Sequence, residues 1–91
     1  MGYQVLLTID LPNCINCERE MFYEILEGNK WHKIDNLSTS WTSIFNDDVK
    51  REEAVEIIVT DLVAAKDYSS VEKYYYAFQL GKGSIEIGSD A

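Results

Sequence analysis

Proline and histidine each occur once in the 91-residue sequence and cysteine twice, and each scarcity closes off a group of explanations. With His32 as the lone imidazole, neither a Ser-His-Asp nor a Cys-His catalytic arrangement is credible. No glycine-rich stretch precedes a helix to cradle phosphate, because Gly81-Lys82-Gly83 reads as a tight turn between strands. Cys14 and Cys17 are too close together to staple a long loop, so reduced thiols are expected. No run approaches the roughly 20 apolar residues that span a bilayer, and the first ten residues lack a basic n-region and a small-residue cleavage site. A cytoplasmic protein with no membrane contact is the expectation. Basic residues are also scarce: 8 Lys and Arg stand against 16 Asp and Glu, a formal charge of −8. Such a chain repels a phosphate backbone, which disfavours general nucleic-acid binding unless Lys30, Lys33, Lys50, Arg51, Lys73 and Lys82 gather on one face. The same acidity suits a basic protein partner.

What is present is enough apolar material, 46% of residues, for a single core, and residues 1–91 read as one domain. Tyr3, Val5, Leu7, Ile9 and Leu11 alternate with Gln4, Thr8 and Asp10, the two-residue period of a strand, and Pro12 ends its pairing. Leu6 breaks the alternation and points to partial cover on the second face. Cys17, Met21, Phe22, Ile25 and Leu26 recur at helical spacing, which predicts a helix from about Cys17 to Glu27 with Asn16 as N-cap and Gly28 closing it. Trp31 to Leu37 and Ser40 to Phe45 read as a hairpin, with turn chemistry at Asp35-Asn36 and Ser38-Thr39-Ser40. Asn46, Asp47 and Asp48 are capping candidates for the next helix, Val49 to Lys66. Ala54, Val55, Ile58, Leu62 and Ala65 give that helix its stripe, and Ile57, Val59 and Val63 widen it enough to meet more than one neighbour. Tyr74, Tyr76, Phe78 and Leu80 mark a last long strand, and Ser84 to Ile87 are able to add a short extra C-terminal strand.

The order β, α, β, β, α, β predicts an α+β fold: a ferredoxin-like βαββαβ sandwich, an antiparallel sheet with two helices on one face. The sheet's other face is left bare, which predicts a homodimer. Trp31, Trp41 and Tyr75 are the candidate interface residues, since aromatics are common anchors there.

Two resemblances bear on chemistry. Cys14-Ile15-Asn16-Cys17, between the first strand and first helix, resembles the Met-x-Cys-x-x-Cys loop of heavy-metal-associated domains, although Pro12 stands where that Met would be. The helix dipole stabilises a thiolate at such a position, and Cys14, Cys17 and His32 would carry a thiol metal carrier. The plain alternative makes Cys17 a core residue of the helix and Cys14 incidental.

The run Leu7-Thr8-Ile9-Asp10-Leu11, a helix, then Trp31-His32-Lys33-Ile34-Asp35 and Ser40-Trp41 resembles in arrangement the Cas2/VapD/SinR-like group of small dimeric proteins. That group includes nucleases and toxin–antitoxin components. The resemblance implies a catalytic role for Asp10 as a Mg²⁺ ligand; no other cofactor is expected. Against it, the favoured reading of Asp10 is that of a strand-end or turn residue bonding local backbone N–H groups. The leading expectation is a regulatory or protein-interaction domain of phage, mobile-element or toxin–antitoxin origin, with the Mg²⁺-dependent nuclease and the thiol carrier as alternatives.

Overall fold

The computed structural model describes residues 2–90, so the two ends of the expected 1–91 domain lie outside the described residues. Six elements follow in the order β1 (Gln4–Asp10), α1 (Asn16–Gly28), β2 (His32–Lys33), β3 (Ser40–Ile44), α2 (Arg51–Ser69) and β4 (Tyr75–Gly81). The strands form one sheet in the order β2-β3-β1-β4, and every pair is antiparallel. This is the ferredoxin-like arrangement.

The period-two pattern of β1 sends Val5, Leu7 and Ile9 to one face. There they share a core with Phe22 and Leu26 of α1, Trp41 of β3 and Ile58, Leu62 and Ala65 of α2, while α1 and α2 pack on one another. Both helices therefore cover the same face. The widened arc of α2 finds no second neighbour among the described residues: Ile57, Val59 and Val63 are exposed.

Both helix starts depart from the expected caps. Ile15 and Lys50 occupy the N-cap positions, and neither side chain has an acceptor to offer. Glutamates one turn on reach back instead: Glu18 Oε1 accepts from the Ile15 N–H at 3.5 Å, and Glu53 Oε1 from the Lys50 N–H at 3.0 Å. Asn16, expected as the cap, already lies within α1.

The end of α1 departs too. Gly28 remains helical, and the left-handed residue is Lys30, at φ 69°. The Trp31 N–H bonds the Leu26 carbonyl (3.0 Å) and the Lys30 N–H bonds that of Glu27 (3.1 Å), the two bonds of a Schellman motif. Its usual apolar contact joins Leu26 to Trp31, both inside. Burial of the indole thus decides where the chain turns, and Ser43 Oγ secures the turn by donating to the Lys30 carbonyl at 3.1 Å.

The expected strand Trp31–Leu37 shrinks to His32–Lys33. Consecutive turns take over, with the Leu37 N–H bonding the Ile34 carbonyl and the Ser40 N–H that of Leu37, and Asn36 adopts φ 68°. The short extra strand over Ser84–Ile87 does not form: the chain bends at Lys82-Gly83, and 84–87 carry no strand pairing. Residues 83–86 instead border a depression with Gln4, Leu6 and Gln79, beside the uncovered face. No described helix is long and apolar enough to cross a membrane.

Candidate functional site

Residues opposite one another in an antiparallel pair point to the same face, so the register assigns every strand residue a side. Leu7 faces both Trp41 and Phe78, which puts Tyr76, Phe78 and Leu80 on the helix side. Leu6 faces Thr42 and Gln79, which puts Gln4, Leu6, Thr8, Ser40, Thr42, Ile44, Tyr75, Ala77 and Gln79 on the open side. That open side carries Leu6, Ile44 (71% exposed) and Tyr75 (57% exposed), and Asp10 is the one carboxylate its strands contribute. On a chain of net charge −8 this is a nearly uncharged surface.

The open face runs to the sheet edge at β4. β4 pairs with β1 in unbroken register from Asp10↔Tyr75 to Gln4↔Gly81, and its other side has no strand among the described residues. Edge strands are normally blunted by charge, proline, a bulge or brevity. Tyr75–Gly81 has none of these in seven residues. Charges sit only at its flanks, with the Lys73 ammonium 5.6 Å from the Tyr75 ring centroid and the Lys82 ammonium 5.0 Å from that of Tyr3. On the helix side Tyr74, Tyr76 and Phe78 form a row, with centroids 5.9 and 6.2 Å apart and the last two rings parallel within 6°. The opposite edge, β2, is only two residues long.

Of the three expected interface aromatics, Tyr75 alone is at the surface. Trp31 and Trp41 are core residues, 2% and 0% exposed, because β3 turns Trp41 inward opposite Leu7 and the α1 exit buries Trp31. Trp31 Nε1 donates to Asp61 Oδ2 at 2.9 Å, whereas Trp41 Nε1 is buried without an acceptor among the described residues.

The expected roles of the two cysteines are exchanged. Cys14 packs against the core and Cys17 is exposed, since α1 turns Phe22 and Leu26 inward and Cys17 outward. Desolvation pushes the Cys14 thiol above its ordinary value, with Arg19 pulling the other way and Glu18 adding to the rise. Its Sγ donates to the Ile15 carbonyl at 3.3 Å. The thiol borders a cavity of about 490 Å³ lined also by Glu18, Glu72, Lys73 and Tyr75, and of these Glu18 disfavours a thiolate. Proximity to the helix start therefore does not outweigh burial here.

Asp10 is exposed at the end of β1, opposite Tyr75 in register, and makes no hydrogen bond to nearby backbone among the described residues. No three His, Cys, Asp or Glu side chains cluster as a metal site among those residues, and His32 is on β2, away from the Cys14 loop in sequence. The cations are spread over both edges: Lys33 is in β2, and Lys73 and Lys82 bracket a strand about 23 Å long. They form no continuous basic track along one face.

No family model matches the chain, and no curated protein matches it either. Among solved structures it is similar to SP2199 from Streptococcus pneumoniae, at 13% identity and a TM-score of 0.56, over 93% of this chain and 90% of that one. The likeness covers nearly the whole fold and bears on the fold alone.

Two features escape a reading of the sequence. The exposed β4 edge depends on strand order, which periodicity does not encode. A cleft shared by Arg19, Tyr23 and Lys33 joins two elements; its one local sign is the i, i+4 spacing of Arg19 and Tyr23 on α1.

Proposed function

We propose that this chain is a small acidic interaction domain of the cytoplasm, a regulatory component of phage, mobile-element or toxin–antitoxin type, whose β4 edge accepts a strand from a partner protein. The observation that carries the reading is the unprotected edge at Tyr75–Gly81. An unpaired strand offers a row of N–H and C=O groups, and an added strand gains main-chain hydrogen bonds while neighbouring side chains supply selectivity. Tyr75 and Leu6 on the open face and Tyr76 on the helix side are exposed beside that row. The surrounding charge of −8 favours a basic partner and gives the association a salt dependence.

The test is Ala77→Lys, which places a charge at mid-edge on an exposed residue. Affinity for a basic, nucleic-acid-handling partner falls at least about tenfold with an unchanged thermal midpoint, and falls also at high salt. Light scattering on both proteins reads self-association: a dimer mass lost in Ala77→Lys identifies a second copy as the strand donor. Unaltered affinity and unaltered mass in the variant overturn the proposal.

A second reading, a Mg²⁺-dependent nuclease resembling Cas2, is favoured by one observation: the Asp10 carboxylate is exposed and not engaged in the local turn that would otherwise account for it. Such a carboxylate is a suitable Mg²⁺ ligand. Asp10→Asn abolishes metal-dependent cleavage of RNA or DNA if this reading holds, and undiminished cleavage sinks it.

A further inference from the structure

A second feature lies on the flank away from β4. At the end of β1, α1, β2 and the turn before β3 enclose a cavity of about 280 Å³ lined by Arg19, Tyr23, Lys33, Ser38, Thr39 and Asp10. This is near the small end of the range for ligand sites, the size of a metabolite more than of a polymer. Its composition is unusual for this chain. Acids outnumber bases two to one in the sequence, yet two cations line this cavity and one acid does.

The cations are held in place. Arg19 is half-buried, donating from Nη1 to Asn16 Oδ1 at 3.3 Å and from Nη2 to the Cys14 carbonyl at 3.4 Å. Both acceptors are neutral and both bonds are long, and a guanidinium has five N–H groups to place. No carboxylate pairs with it among the described residues. The Lys33 ammonium stands 5.1 Å from the Tyr23 ring centroid, and that ring packs edge-on against the buried Trp41 at 5.1 Å. Tyr23 therefore has a fixed position. Partial desolvation raises its hydroxyl above the ordinary value, against the pull of Arg19, so the phenol stays protonated and able to donate. It has no hydrogen-bond partner among the described residues. Ser38 and Thr39 add hydroxyls.

We infer that this cleft is a binding site for a small oxyanion, carboxylate or phosphate, held by Arg19, Lys33 and Tyr23. A planar guanidinium and an ammonium lining one pocket are the donors such a group selects. The site shares no residue with the β4 edge and stands or falls independently of it.

Backbone amide NMR of the full chain tests the inference, with inorganic phosphate and succinate as probes and chloride at matched ionic strength as reference. Signals of Arg19, Tyr23, Lys33 and Thr39 shift and saturate with a Kd of about 1 mM or below for at least one probe, and the better probe tells which oxyanion is preferred. Lys33→Gln, on an exposed two-residue strand, keeps the fold and weakens that binding about tenfold, as does Arg19→Gln. Shifts that do not saturate and match those of chloride overturn the inference, as does a Kd unaltered in Lys33→Gln.

Discussion

Trp31 and Asp61 are joined by a 2.9 Å hydrogen bond that ties the exit of α1 to the middle of α2, 30 residues away. The indole has no other route to an acceptor, being 2% exposed. Desolvation raises the Asp61 pKa, and the bond from Trp31 opposes the rise without cancelling it.

Asp61→Ala strands the indole N–H and costs about 1–3 kcal/mol in chemical denaturation, whereas Asp61→Asn keeps an acceptor and costs much less. The pH dependence has a definite sign. A carboxyl whose folded pKa exceeds its unfolded value holds more protons in the folded state between the two, so stability declines as pH rises through that interval. The decline begins in the ordinary carboxylate range, and Asp61→Asn removes this contribution. Equal losses in the Ala and Asn variants would refute the acceptor role.

Lys30 is the left-handed residue of the Schellman turn, where a side chain costs about 1–2 kcal/mol relative to glycine. Glycine gives back part of that through its freer unfolded state, so Lys30→Gly stabilises by up to about 1 kcal/mol. The exposed lysine side chain itself makes no hydrogen bond among the described residues. A lowered denaturation midpoint in Lys30→Gly contradicts the account of how α1 ends.

The two thiols differ in reactivity. Cys17 is exposed, whereas Cys14 is packed against the core with a raised pKa. Alkylation with iodoacetamide at neutral pH, read by peptide mass spectrometry, labels Cys17 first. Preferential labelling of Cys14 would restore the thiolate reading of the Cys14-Cys17 loop.

Gly2 lies against the Phe45 backbone, and a Cβ there would collide with the Phe45 carbonyl oxygen. The adjoining Phe45 N–H bonds the Tyr3 carbonyl at 2.8 Å, so the chain cannot swing away without loosening that bond. Gly2→Ala is expected to cost about 1–3 kcal/mol. An unchanged thermal midpoint would show that the segment before β1 is not held there.

Where one element decides its own form, the sequence was readable. The alternation of Val5, Leu7 and Ile9 and the stripe of Ala54, Ile58, Leu62 and Ala65 each report a solitary period, and both elements formed on the faces expected. Trp31–Leu37 misled because the aromatic and β-branched content favoured strand while Asp35-Asn36 favoured turn, and the turn chemistry won after two residues. Of the candidate site, Tyr75 was legible as exposed from its place opposite the apolar positions of β4. Trp31 and Trp41 were not legible as core, since the partners that bury them, Leu26 and Leu7 among them, come from other elements.

The order of amino acids by itself determined the succession of strands and helices, because a two-residue or 3.6-residue period is a property of neighbours along the chain. Only the tertiary structure decided that Cys14 turns inward and Cys17 outward, that β4 rather than β1 lies at the edge, and that Arg19 and Lys33 share one cleft. Those outcomes depend on which surfaces meet across gaps of tens of residues, where burial and register are settled by partners that no local pattern names.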